Sequence, residues 1–196
     1  MMNDITSENS ILSRKIRMSQ IKILFVLLVP FVSFVQPSIS VGESLTINFK
    51  NLKSISPDNL IIIDTRSKFK YLLGHIPKAI HLGKWQDFTQ NVKGVRGLLI
   101  KNPIFIVNKF NSYGIHPKKH IVIYGDPDDP WRTDGRFFWM FERFGFNKVT
   151  IYEGGLKNWK NSGEKLEFGQ GSALAKPLLS VKDIRLNDEV SAEQQW

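Results

Sequence analysis

Cysteine is absent from this 196-residue chain. That one absence excludes disulfides, thiolate metal sites and every mechanism built on a sulfur nucleophile, while leaving the redox compartment open. Histidine is scarce, and His81, His116 and His120 share no metal-ligand spacing with one another. There is no G-x-S-x-G elbow, no complete D-x-D-x-D-G loop with its distal Glu, and no internal repeat. No apolar run reaches the roughly 20 residues that cross a bilayer comfortably.

Hydrophobic residues make up 42% of the sequence, including fourteen Phe, enough to fill a core and to exclude wholesale disorder. The net charge is +9, but Lys and Arg are scattered rather than striped, which argues against a nucleic-acid partner. Residues 1–40 read as a targeting segment. Arg14, Lys15, Arg17 and Lys22 precede the apolar run Ile23–Val35, broken only by Pro30 and Ser33. Its length suits a signal-peptide core, and Ser38 and Ser40 supply small residues for a cut before Val41. Met18 offers a second start. An uncleaved anchor over residues 21–36 is the competing reading, and the only one in which a membrane is a partner. Either way the protein is expected to be exported, to a periplasmic or extracellular location.

The remainder alternates strand and helix signals. Continuous β-branched or apolar runs at Leu60–Ile63, Ala79–Leu82, His120–Tyr124 and Val149–Tyr152 suit buried parallel strands, with a further short candidate at Ser44–Asn48. Between them fall helical signals. Ser67 caps a short helix with Phe69, Leu72 and Leu73 inward, ending at Gly74. Asn102-Pro103 opens a helix with Ile104, Val107 and Phe110 inward, stopped at Gly114 with Ile115 as its apolar partner. Thr133 caps a third, in which Phe137, Met140, Phe141 and Phe144 recur at helical spacing. Lys84–Gly97 reads as a surface loop, Gly169–Ala175 as a linker and Val181–Trp196 as a loose tail. The expected architecture is α/β: a single domain over residues 41–168 with a central parallel sheet and helices on both faces, then a linker and loosely ordered tail over 169–196. In such sheets the loop after a central strand faces the ligand crevice. Chemistry is therefore expected at Gly125–Arg132, which contains no nucleophile.

Three ordered stretches resemble the rhodanese (sulfurtransferase) domain family. Asp64-Thr65-Arg66 through Gly74-His75-Ile76-Pro77-Lys78-Ala79-Ile80 matches its D-x-R … G-H-I-P-x-A-x pattern. Gly145-Phe146-Asn147-Lys148-Val149, then Glu153-Gly154-Gly155-Leu156 and Trp159, matches its closing motif. Val122-Ile123-Tyr124 sits where that family's strand enters the active loop. The helix ending in Tyr113-Gly114-Ile115, and Arg136-Phe137-Phe138-Trp139 after the loop, look like the N-terminal half of tandem-domain sulfurtransferases. The resemblance implies a half that commonly lacks the nucleophile carried by the other. It also implies a cysteine directly after the strand, its persulfide cradled by loop amides. Here Gly125 holds that position.

The family's structural motif falls on Asp64, Arg66, Gly74, His75, Gly154, Gly155 and Trp159; Asp64 and Arg66 are expected to tie the strand end rather than do chemistry. The remnant active-site loop falls on Gly125, Asp126, Pro127, Asp128, Asp129, Pro130, Trp131 and Arg132. Its carboxylates, with Asp134, suit either a cation or a self-capping loop; the self-capping form is expected, with Asp126 or Asp128 folded onto loop amides in place of the missing anion. Trp131 either contacts a ligand or folds back on the domain, and Arg132 is the candidate anion contact. No catalytic residue, metal or cofactor is expected. The expected function is a non-catalytic binding or regulatory module whose partner is another protein, such as a thiol-bearing sulfurtransferase subunit, or a small anion. The competing readings are an enzyme acting with a thiol partner in sulfur metabolism and a hydrolase built on the Asp loop.

Overall fold

The computed structural model describes residues 44–171 and 179–187. The targeting segment and its cleavage point lie outside the described residues, as do the remaining parts of the tail.

Five strands form a parallel sheet in the order β1-β7-β6-β2-β3. They are β1 (Thr46–Ile47), β2 (Leu60–Asp64), β3 (Ile80–His81), β6 (His120–Tyr124) and β7 (Val149–Tyr152). The central pair, β2 and β6, is a β-branched run buried on both faces, as expected of a strand covered by helices on each side. Successive side chains alternate across the sheet. Ile61, Ile63, Ile121 and Ile123 join one core with Phe110, Phe137, Phe141 and Phe144; Ile62, Val122 and Tyr124 join the other with Leu52, Tyr152, Leu156 and Trp159.

The first face is covered by α3 (Pro103–Tyr113) and α4 (Thr133–Arg143), the second by α1 (Phe49–Ser54) and α5 (Gly155–Asn161). Phe110 stacks on Phe141 at 5.3 Å and meets Phe146 edge-on at 5.5 Å. Each fully buried Phe contributes roughly 1.5–3 kcal/mol. Asn102 caps α3 by accepting from the amides of Ile104 and Phe105, and Gly114 closes it at φ +71°.

Several local expectations are corrected. In α2 (Lys68–Leu72), capped by Ser67, Phe69 and the adjoining Leu73 face solvent, while Tyr71 is the residue buried. The reason is polar: the Tyr71 hydroxyl donates its one proton to the Ala79 carbonyl (2.8 Å), with the Gln170 carbonyl oxygen also within 3.1 Å, which fixes the rotation of this short helix. Ile104 is exposed and Ile106 takes the inward place, roughly 200° around the helix from it at 100° per residue. Lys84–Gly97 is not an open loop. It forms a 3-10 turn (Trp85–Phe88) and an antiparallel hairpin of β4 (Thr89–Val92) and β5 (Val95–Leu99). Its turn residues Lys93 and Gly94 both have positive φ, as a type I′ turn requires. Part of the supposed loose tail packs on the domain. Leu179 is buried and exchanges two hydrogen bonds with the Asn111 amide (2.8 and 2.9 Å). The amides of Arg185 and Asn187 donate to the carbonyls of Phe144 and Arg143 at the end of α4, where intrahelical donors run out.

Candidate functional site

Because the sheet is parallel, the ends of β2, β3 and β6 deliver three loops to one edge, where the N-terminus of α4 also arrives. Asp64 and Tyr124 are partners in register at the ends of β2 and β6. Asp64 is fully buried. Its carboxylate accepts from the Arg66 backbone amide (2.9 Å), from Arg66 Nε and Nη2, and from the Tyr124 hydroxyl (2.7 Å). Arg66 Nη2 also donates to the Gly74 carbonyl, and the Tyr124 hydroxyl accepts from the Ile76 amide. Burial, reinforced by Asp64, pushes the Tyr124 phenol far above its ordinary range. These groups form a clamp that holds the Gly74–Pro77 turn onto the strand ends.

His75 is buried, stacked on Tyr71 at 3.9 Å, with Nδ1 2.9 Å from the Tyr71 carbonyl oxygen and Nε2 4.0 Å from Glu167. Gly154 turns the chain into α5 at φ +70°. Trp159 is buried in the second core and donates from its indole to the Lys165 carbonyl. None of these three lines the cavities at the sheet edge.

Gly125, directly after β6, is buried. A Cβ there would stand 2.9 Å from Thr65 Oγ1 and 3.2 Å from Asp134 Cβ, and Thr65 is itself held to the Tyr124 carbonyl by both its amide and its hydroxyl. From the other side, a Cβ on Gly155 would stand 2.5 Å from the Gly125 carbonyl oxygen. The place a nucleophile would need is filled by neighbours.

The remaining loop binds itself. Asp126 pairs with Lys70, which holds its carboxyl below the ordinary carboxylate range, and its other oxygen is 3.4 Å from the Asp128 amide. Asp129 is the principal cap: it accepts from the amides of Trp131 and Thr133 (3.0 Å each) and from the Thr133 hydroxyl. Those bonds, that of the Thr133 hydroxyl foremost, hold its carboxyl below the ordinary range. Arg132 turns the chain into the helix at φ +45° and lays its guanidinium on Asp134 through two 3.0 Å bonds. Two expectations are thereby revised. Thr133 is the capped residue rather than the cap, and the loop amides are taken mainly by Asp129, not Asp126 or Asp128. Pro127 and Pro130 are exposed. Among the described residues no group of three or more His, Asp or Glu is placed to hold a metal ion.

Two cavities flank Thr65-Arg66-Ser67. The smaller, about 350 Å³, is lined by Lys70 and the acidic loop. The larger, about 500 Å³, is lined by Arg66, Lys68, His81, Lys84, Trp85, Trp131 and Arg136 among others. Trp131 does not fold back on the core: it is 69% exposed, with the Arg136 guanidinium 5.8 Å from its ring. Arg132 lines neither cavity. The cations lining the larger one are Arg66, Arg136, Lys68 and Lys84, and Lys70 lines the smaller. The one sequence signal for Lys84 and Trp85 is their place three and four residues past the end of a parallel strand. His81 accepts from the Gly83 amide at Nδ1 and is 2.8 Å from the Arg66 carbonyl oxygen at Nε2, so its neutral Nε2–H form satisfies both. Burial above all, with the charge of Lys68 contributing, lowers its pKa below the ordinary 6.5.

A cysteine-less loop on this sheet edge, braced by the Asp64–Arg66 clamp, belongs to a known architecture: the chain is a member of the rhodanese-like domain family, whose family model matches residues 49–162. Its relatives are sulfurtransferases. It is 29% identical over 116 residues to 3-mercaptopyruvate sulfurtransferase of Mus musculus, covering 58% of this chain and 36% of that protein. It is 27% identical over 137 residues to thiosulfate sulfurtransferase of Pseudomonas aeruginosa, covering 70% and 48%. The chain thus spans less than half the length of these relatives. In fold it resembles SseA from Escherichia coli, a 3-mercaptopyruvate sulfotransferase, with a TM-score of 0.61 at 23% identity, over 74% of this chain and 57% of that one.

Proposed function

We propose that this domain is a non-catalytic binding module related to sulfurtransferases, holding a partner or ligand at the sheet edge rather than transferring sulfur. The observation that carries the reading is Gly125. It occupies the position after β6, backs onto Thr65 and Asp134, and no cysteine exists elsewhere in the sequence to replace it. The resemblance of the Arg136–Trp139 stretch to N-terminal halves of tandem sulfurtransferases supports a partner that is itself a thiol-bearing sulfurtransferase domain, and a place in sulfur metabolism. The run Ile23–Val35 behind four basic residues supports export.

The test is sulfur transfer to cyanide from thiosulfate and from 3-mercaptopyruvate. The purified protein alone is expected to be inactive. Stimulation of an added cysteine-bearing rhodanese domain would favour the second reading, a subunit that works with a thiol in trans; turnover by the protein alone would overturn both. Expressed with its own leader, the protein is expected outside the cytoplasm with a new N-terminus near Val41. A soluble, uncut cytoplasmic product would sink the export reading.

A further inference from the structure

The larger cavity is not where a sulfur nucleophile would sit, and its chemistry differs from that of the acidic loop. Its wall carries four basic side chains, Arg66, Lys68, Lys84 and Arg136, and no carboxylate. Only Arg66 is neutralised, by Asp64. Lys68, Lys84 and Arg136 have no ion-pair partner among the described residues; their partners are the Tyr71 ring for Lys68 (4.7 Å) and the Trp131 ring for Arg136. The nearby acids, Asp87 on the Lys84 backbone amide and Asp129 on Trp131 and Thr133, keep their charge, and Asp129 acts on Arg136 electrostatically, but neither lines the cavity. The wall itself is lined by charge of one sign, which between low-dielectric walls biases the potential of the concavity toward positive.

The same wall is aromatic. Trp85 is fixed edge-on against Phe137 at 5.8 Å and lies 6.3 Å from Trp139, so one indole is rigid. Trp131 leaves most of its surface to water. Arg66 is rigid as well, because its bonds to Asp64 and Gly74 use Nε and Nη2 and leave Nη1 as the donor not committed to them. A volume of about 500 Å³ lies within the small-molecule range.

From these features we infer that the cavity is a binding site for a small organic anion with a planar apolar body, a carboxylate or sulfonate on an aromatic or similarly flat frame. The anionic head meets Arg66, Lys68, Lys84 and Arg136, and the flat body takes the indole faces of Trp85 and Trp131 out of water. Inorganic anions satisfy only the first half of this site and neutral aromatics only the second. The inference deepens the binding reading and rests on it for biological meaning, but its chemistry is independent of sulfur transfer.

The test is isothermal titration of the full chain with naphthalene-2-sulfonate, with 2-naphthol as the neutral analogue and with sodium sulfate. The sulfonate is expected to bind roughly tenfold or more tighter than either control, and to weaken as salt rises. The double variant Lys84→Ala/Arg136→Ala is expected to lose roughly tenfold in sulfonate affinity, about 1.4 kcal/mol. Trp131→Ala should weaken naphthalene-2-sulfonate while leaving sulfate unaffected. These side chains are solvent-facing, so the urea midpoint should not move; Lys70→Ala, in the smaller cavity, should leave binding unchanged. Equal binding of sulfonate and naphthol, insensitivity to both cavity variants, loss on Lys70→Ala instead, or no measurable heat with the sulfonate would each overturn the assignment. Failure here with no sulfur transfer leaves the binding-module reading standing, whereas sulfur transfer by the protein alone with intact sulfonate binding removes that reading and keeps this one.

Discussion

Thr65 stands directly behind Gly125: its hydroxyl oxygen is 2.9 Å from where a Cβ on that glycine would lie, and it is pinned to the Tyr124 carbonyl one residue upstream. The side chain is short and β-branched, so it cannot swing aside without breaking that bond.

Gly125→Cys is therefore expected to fold with a penalty of roughly 1–3 kcal/mol, the usual cost of forcing atoms into a filled site. It should acquire no more than weak sulfur-transfer activity, because burial at this crowded position disfavours a thiolate. Urea denaturation and cyanolysis of any bound sulfane sulfur check both points. A variant as stable as the parent that turns over thiosulfate briskly would contradict the crowding argument.

Tyr124→Phe removes one donor to buried Asp64 and the acceptor of the buried Ile76 amide. An orphaned buried amide costs roughly 1–3 kcal/mol. The expected readout is a lower urea midpoint with an unchanged slope, and faster hydrogen exchange at Ile76. Exchange at Ile76 as slow as in the parent would show that the clamp does not depend on this hydroxyl.

Asp129→Ala should destabilise the start of α4 by roughly 1–2 kcal/mol at neutral pH, as loss of a helix cap does. The folded carboxyl lies below its ordinary value of 3.8, so the contribution is present above that value and is lost as pH falls toward the folded pKa. Parent and variant should converge in stability in acid. Thr133→Ala, by contrast, removes only the hydroxyl bond and should cost less. If the order of the two variants is reversed, Thr133 is the true cap.

His81 should titrate below 6.5 when followed by its ring proton resonances, because burial disfavours the imidazolium and protonation at Nδ1 would cost the Gly83 bond. The sign follows from linkage. The unfolded chain takes up this proton first, so the neutral residue's contribution is complete above the unfolded value and declines as pH falls below about 6.5. His81→Asn should flatten the decline in stability as pH falls below about 6.5. A midpoint at or above 6.5 would mean that the neutral tautomer is not the one the fold selects.

The sheet, and the edge at which its loops emerge, are legible in the sequence because both are carried by contiguous signals. Two runs buried on both faces, Leu60–Asp64 and His120–Tyr124, can satisfy their backbones only as central strands, and whatever follows them must emerge at one edge. The missing nucleophile at Gly125 was equally plain, since a residue type is read directly. Tertiary structure alone decided which face of a short helix turns inward, because the hydroxyl of Tyr71 found its acceptor at Ala79, with the Gln170 carbonyl beside it, both outside the helix. It also decided which aspartate caps α4, a matter of how two proline-flanked turns place Asp129. Above all it brought Lys84, Trp85, Trp131 and Arg136 to the same cavity as Arg66. No pattern along the sequence marks such a group, because the distances that make a site run between strand ends, not along the chain.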